Sequence, residues 1–475
     1  MIGSTCETPD SGPNNCGYFL VFKTPTNQKT LIMFKKLPLL FIAIILAGVG
    51  TAQDHEHWCG TDQFYKAEAE KHPEAYRQAE QKLDQFIVEY ASSAMKKDDG
   101  RTYYIPVVFH YIHNEQAPEK FFGADQAAGV LKRLNEDFSA TNPDTDKIQD
   151  YYKDLRGNPN IQFLLAEKDE QGNSHSGINY VKTKKTKASN RTTDSEAKSF
   201  SSWSSKKYLN FWIVESLSEE GVLAFATFPE FSASGRIRAS EDGVIGLLSL
   251  FATTIGEPFR RHALSHEVGH WLSLRHPFQG DEGDEDGCSQ LPCKFGGDRI
   301  CDIAQVDRPR NGECTPDETT CPADPDYPNR PDNRTNIMDY RDCPQMFSKD
   351  QVERMRGTLL GHRHELVSWA NLNATGVADR IENRVFVKTA LYPNPFSGHL
   401  SVDIQVAHEG EAIIRISDVL GRTTYTLNDV ALDEGINHLE LDANSMQLPN
   451  AGVYFLEIKL EDARLVRRIQ YSPNK

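Results

Sequence analysis

HEVGHWLSLRH, residues 266–276, decides how the rest of the chain is read. Side chains four residues apart on an α-helix project from one face, so His266 and His270 aim their rings at one point. Glu267 lies beside the first of them. Imidazoles at this spacing suit zinc, which a catalytic site holds by three protein ligands, leaving a fourth position to water. A carboxylate next to the first ligand can take that water's proton as general base. His276, six residues after His270, supplies a third imidazole. With 15 His among 475 residues, an HExxH is expected by chance about 0.03 times per chain, and about 0.001 times with a further His at a fixed offset. His262, one turn earlier on the same face, is assigned to ordinary packing, because a fourth protein ligand would displace the water.

Outward from this helix, predicted over Phe259–Leu274, the sequence alternates strands and helices. YYIPVVFHYIH from Tyr103 is β-branched and aromatic and reads as a strand. Val130, Leu131, Leu134 and Phe138 then mark one face of a helix. Strands follow at Ile161–Lys168, at Tyr208–Leu217, over Gly221–Pro229 and from Gly243, with Asn210 expected at an edge or turn-facing position. Pro277–Arg334 is rich in Gly, Pro, Asp and Cys and lacks periodicity, which requires staples. Phe347–Leu366 closes this region as an amphipathic helix. Upstream, Asp62–Lys97 has a helical and polar pattern. Beyond Asn373 the character changes to short alternating strands between Gly, Asn and Asp turns, a separate small β-sandwich.

Whole-chain properties narrow the class. A formal net charge of -16 argues against a nucleic-acid partner, since an acidic surface repels phosphate. The long apolar run, Leu37–Val49, follows Lys35 and Lys36 and ends in small residues, the pattern of a secretory signal and too short for a comfortable span. Residues 1–32 are polar and unpatterned and are expected to lie upstream of the true start. Residues 33–52 are read as the signal, and no stable transmembrane segment is expected in the mature protein. Export places Cys288, Cys293, Cys301, Cys314, Cys321 and Cys343 in an oxidising compartment, where six clustered cysteines imply three disulfides with fifteen connectivities. Cys59 is left as the odd thiol, unless it pairs with one of the six and frees another.

HExxHxxGxxH is the zinc signature of the metzincin endopeptidases, and residues 266–276 resemble it with Ser273 at the glycine position. A left-handed serine costs roughly 1–2 kcal/mol, which a local hydrogen bond from its hydroxyl would partly offset. NIMDY, residues 336–340, is similar to the methionine turn of that group. The resemblance implies Met338 as the floor beneath the metal and Tyr340 as a residue approaching the zinc or the developing oxyanion. IPVVFHYIH, LNEDFSATNPD, LNFWIV, HEVGHWL, GDRICD, NIMDY and FSKDQVERM occur in the order seen in pappalysin-like metzincins of the cytophagalysin branch. The likeness spans roughly residues 57–370. It implies an α+β metzincin-like catalytic domain over residues 101–372, with a twisted mixed sheet, a zinc helix and an irregular lower half stapled by disulfides.

The same resemblance implies further roles. In related zymogens a cysteine in a CGT setting blocks the zinc as thiolate, which makes Cys59 in HWCGTD a switch and residues 53–100 a propeptide. Lys96, Lys97 and Arg101 offer basic cleavage points. Asp298 and Asp302 fall where the family holds structural calcium, although Ile303 replaces a threonine ligand. The acidic run Asp281–Asp286 reads as a solvated loop. Some members cut after arginine. The segment after the methionine turn is shortened here, leaving Asp342 as the local carboxylate for such specificity. YPNPF (392–396), DVLGR (418–422) and GVYFLEIKL (452–460) resemble the sorting domain of the type IX secretion route, assigned to residues 385–475.

The reading is therefore a secreted or surface-attached, zinc-dependent endopeptidase, made latent, acting on protein or peptide substrates and exported by the type IX machinery. A thermolysin-like zincin is disfavoured by His276 and the methionine turn. A surface adhesin with a zinc-stabilised, inactive domain is the alternative of a different class. Glu267 and a silencing thiol are features it would not need.

Overall fold

A computed structural model of the chain describes residues 2–6, 16–20, 58–92, 102–188, 196–217, 219–229, 242–252, 258–280, 287–309, 314, 318–326, 328–407, 409–460 and 463–473. The expected signal at 33–52, the basic points Lys96, Lys97 and Arg101, and the acidic run 281–286 lie outside the described residues. The chain divides into two compact units, residues 1–54 and 55–475. In the first, Ile2–Cys6 and Cys16–Leu20 pair as an antiparallel ribbon.

The second unit opens with helices α1 (Thr61–Lys71) and α2 (Pro73–Ser92). One continuous helix was expected here. Instead the chain breaks at His72, whose φ of -141° leaves helical geometry just before Pro73, as a residue preceding proline tends to do. A mixed sheet follows. Its strands are β1 (Tyr103–His113), β2 (Ile161–Leu165), β3 (Ile178–Lys182), β4 (Leu209–Val214), β5 (Ala224–Ala226) and β6 (Gly243–Leu247). Their order is β2-β1-β4-β6-β5, with β3 continuing the edge of β1 beyond β2. All pairings are parallel except β6 with β5, which is antiparallel and leaves β5 as an edge.

Helix α3 (Ala124–Phe138) lays Val130, Leu131, Leu134 and Phe138 against one face of the sheet, as the periodicity predicts. Beside it runs α4 (Pro258–Trp271), the histidine helix. Asn210 corrects the edge expectation: it sits fully buried in central strand β4. Its amide is satisfied on both sides, donating to the carbonyls of Trp203 and Asp242 and accepting from the Trp203 N–H, with His110 Nε2 at 2.9 Å. A polar group so bonded can occupy a core without the usual desolvation cost.

Below the sheet the chain is irregular until α5 (Lys349–Leu360), which starts in a capping box between Ser348 and Gln351. Three disulfides staple the irregular part: Cys288–Cys321, Cys293–Cys301 and Cys314–Cys343. The C-terminal region is two antiparallel sheets. One has three strands (386–392, 399–406, 435–442) and the other four (410–418, 423–432, 452–460, 463–471). Their shared core also takes in Val377, Ala378 and Ile381 from the helix Val377–Val385, together with Leu164 and Leu372. Among the described residues no helix is long and apolar enough to cross a membrane.

Candidate metal centre

The helix α4 is buried around His266, Glu267 and His270. It ends because Leu274 N–H bonds back to the Gly269 carbonyl while Ser273 turns left-handed at φ 76°. That turn swings His276 back toward the other two rings. The Ser273 carbonyl accepts from Arg354 Nε at 2.7 Å, but its buried hydroxyl has no hydrogen-bond partner. The expected compensation by the hydroxyl is therefore absent: the turn carbonyl, not the side chain, is what the surroundings hold.

The three Nε2 atoms lie 3.0 Å from one another. Each Nδ1 is turned to an acceptor: His266 to the Ile337 carbonyl at 2.8 Å, His270 to the Leu274 carbonyl at 2.7 Å, and His276 to Asp62 Oδ2 at 2.6 Å. The ring protons thus belong on Nδ1, and three lone pairs converge on one point. Burial, then the neighbouring rings, drive His266 well below its ordinary pKa and His270 to about 3. Neutral imidazoles with converging lone pairs repel unless a cation lies among them, so this donor set fits a metal ion. Cys59 completes the group, with the four ligand atoms all within 4.8 Å of one another. It is the free thiol among the described residues, and it is buried.

The segment Trp58–Gly60, just ahead of α1, lies along β5. Leu223 N–H donates to the Trp58 carbonyl at 2.7 Å and Gly60 N–H to the Ala224 carbonyl at 2.9 Å. The Thr61 hydroxyl accepts from Ala226 N–H and donates to Glu267 Oε2, both at 2.9 Å. Burial pushes Glu267 up to about 8 against the pull of hydrogen bonds from Cys59 and Thr61. The sequence pattern assigns no role to Thr61 and Asp62, although they stand two and three residues after Cys59. Farther along, Glu80 pairs with Arg275 and Arg299, and Asp84 with Arg299 and Arg354.

Met338 packs under α4, where a Cβ on Gly269 would meet its sulfur at 2.5 Å. The turn is fixed by Asn336, whose Oδ1 accepts from Met338 N–H and whose amide pairs with Gln351. Tyr340 presents its ring edge-on to His276 at 4.9 Å and its hydroxyl to the Cys59 carbonyl at 3.4 Å. Asp342 is half-buried and outside the group of metal-ligating side chains. His262 stays out of that group too, held between Asp137 and Asp144 at 2.9 and 3.0 Å. Asp298 and Asp302 are set apart from the histidines as well. Asp298 accepts from Ile300 N–H and Asp302 from Asp350 N–H, each at 3.0 Å, while Asp298 Oδ2 and Asp302 Oδ1 have no hydrogen-bond partner.

Residues 192–360 match the family described as Pregnancy-associated plasma protein-A, and residues 390–471 match the secretion system C-terminal sorting domain. An extracellular metalloprotease of Aspergillus fumigatus is 32% identical over 146 residues, which are 30% of this chain and 41% of that protein. The match thus spans about two fifths of that curated relative. Mature mirolysin of Tannerella forsythia, solved with a cleaved peptide, is 32% identical over 58% of this chain and 98% of its own, with a TM-score of 0.47. A promirolysin mutant of the same organism is 28% identical over 66% of this chain and 98% of its own, with a TM-score of 0.51. The sorting domain and the extracellular relatives place the protein outside the cell or on its surface. With the histidine site, the stapled lower half and the sorting tail, the chain belongs to the pappalysin-like family of metalloproteases.

Proposed function

We propose that the chain is a latent zinc endopeptidase of the metzincin type. The observation that carries this is the convergence of three Nε2 atoms at 3.0 Å beside Glu267. His266, His270 and His276 would hold the ion, whose chemistry is to polarise a peptide carbonyl and acidify a water molecule. Glu267 takes the proton of the attacking water and passes it to the leaving amine. Tyr340 donates to the developing oxyanion. The edge of β5 offers Leu223 N–H and the Ala224 carbonyl to the backbone of an extended peptide.

Latency follows from what fills that edge. Residues 53–100 act as a pro-segment: Trp58–Gly60 occupy β5, the Cys59 thiol takes the water's position, and Thr61 ties down Glu267. A preference for cutting after basic residues, with Asp342 as the specificity carboxylate, and calcium at Asp298 and Asp302 belong to the same proposal. The unpartnered oxygens of those two buried carboxylates support a cation there.

The test compares the protein after proteolytic removal of the pro-segment, with and without Glu267→Ala. Cleavage of a mixed peptide library is read beside zinc content. Zinc in both proteins, with cleavage falling about 10²–10⁴-fold without Glu267, is the expected result. Zinc in both and cleavage in neither would move the assignment to an inactive surface-binding protein. The residues flanking the cut bonds read out the basic preference directly.

A further inference from the structure

The outer nitrogens of the three histidines are not held alike. His266 and His270 donate to the main-chain carbonyls of Ile337 and Leu274, which are fixed parts of the catalytic region. His276 donates to a carboxylate instead, Asp62 Oδ2 at 2.6 Å. Asp62 lies three residues after Cys59, in the segment assigned above to the removable pro-region. The ring plane of His276 has separate support, since it stacks on Phe278 at 4.6 Å and meets the edge of Tyr340 at 4.9 Å. Asp62 therefore sets which nitrogen carries the proton, not where the ring sits. The partner of one imidazole nitrogen decides the availability and basicity of the other, and a carboxylate partner strengthens the ligand most.

We infer that Asp62 is a positioning residue for the metal, which makes the latent chain the form that takes up and retains the ion. Removal of the pro-segment withdraws two supports at once, the Cys59 thiol and the carboxylate behind His276. The ion is thus acquired before maturation. The mature centre, left with two main-chain partners and one vacated nitrogen, holds it less tightly. The inference rests on the zinc reading above. Cys59, Thr61 and Asp62 then divide the work, touching the ion's fourth position, the base and the third ligand respectively.

The test is zinc competition between the full chain and a chromogenic chelator, with no substrate present. Asp62→Ala should lower zinc affinity about 10–100-fold, and Asp62→Asn, which keeps an acceptor without the charge, should restore part of it. Asp84→Asn, which loosens the same segment away from the rings, should leave affinity unchanged. In the cobalt-loaded chain the thiolate absorption band should survive Asp62→Ala, showing Cys59 still seated. Stoichiometric zinc with unchanged affinity in Asp62→Ala would overturn the inference. So would an equal loss in Asp84→Asn, or disappearance of the thiolate band, since either reports a segment that has lifted off. A parent chain that binds no zinc would instead remove the metal reading itself.

Discussion

The catalytic region and the sorting tail solve the same folding problem with different materials. Among the described residues, the polar and charged residues buried as a whole lie at or before Thr375, whereas the residues the tail buries are apolar ones and Tyr454, whose hydroxyl donates to the Asn450 carbonyl. Its ion pairs, such as His438 with Asp403, each keep at least one partner in solvent. The catalytic region instead encloses whole networks: Asp242 between Arg363 and Trp271, Arg341 between Asp339 and Asp332, His262 between two aspartates. A buried ion pair is weak evidence of net stability but costly to break. The difference teaches that the tail needs only to fold, whereas the region around the histidines must hold particular atoms in place.

The sharpest way to break that contrast is Arg363→Ala. It leaves the Asp242 carboxylate buried without its guanidinium, and unfolding should show a loss of about 3–5 kcal/mol. A loss below 1 kcal/mol would mean that these networks decorate the core without holding it.

His262 sharpens the comparison through pH. Burial alone would lower its pKa, but the carboxylates of Asp137 and Asp144 lift it to about 9, while Asp144 falls to about 2. A pKa raised above the unfolded value contributes stability fully present below about pH 6.5 and lost as pH rises through about 9. The stability difference between the parent and His262→Gln should therefore be about 3 kcal/mol near pH 6 and shrink toward pH 9.5. A pH-independent difference would assign His262 to packing only.

Smaller effects bracket the two regions. Ser273→Gly removes a left-handed side chain and an unpartnered buried hydroxyl, and should stabilise by about 1–2 kcal/mol with zinc content unchanged. In the tail, His438→Ala should leave the melting temperature where it is at any pH between 5 and 8, because its partners are solvated. A shift there would show that the tail depends on its polar pairs after all.

How much could be read from the sequence follows the same divide. The tail strands were legible because a period of two needs only local alternation. The histidines were legible because spacing on a helix fixes direction, and Met338 because its turn is a local motif. Cys59 emerged from counting. A lone polar residue in an apolar run looks like an edge, which is why the pattern misplaces Asn210: two of its satisfying partners, His110 and Asp242, are distant in sequence. Asp62 and Thr61 escaped for the same reason: their partners, His276 and Glu267, are more than two hundred residues away. Local spacing shows which atoms can bind; it does not show what stands behind them.

The helix Val377–Val385 bears on where the tail can be removed. Its inner face, Val377, Ala378 and Ile381, belongs to the core of the tail. A catalytic region released by a cut after Val385 would leave carrying that strip bare to water, a greasy end prone to self-association. A cut at or before Gly376 sends the strip away with the tail and leaves a smaller apolar patch, which includes Leu164, on the catalytic region.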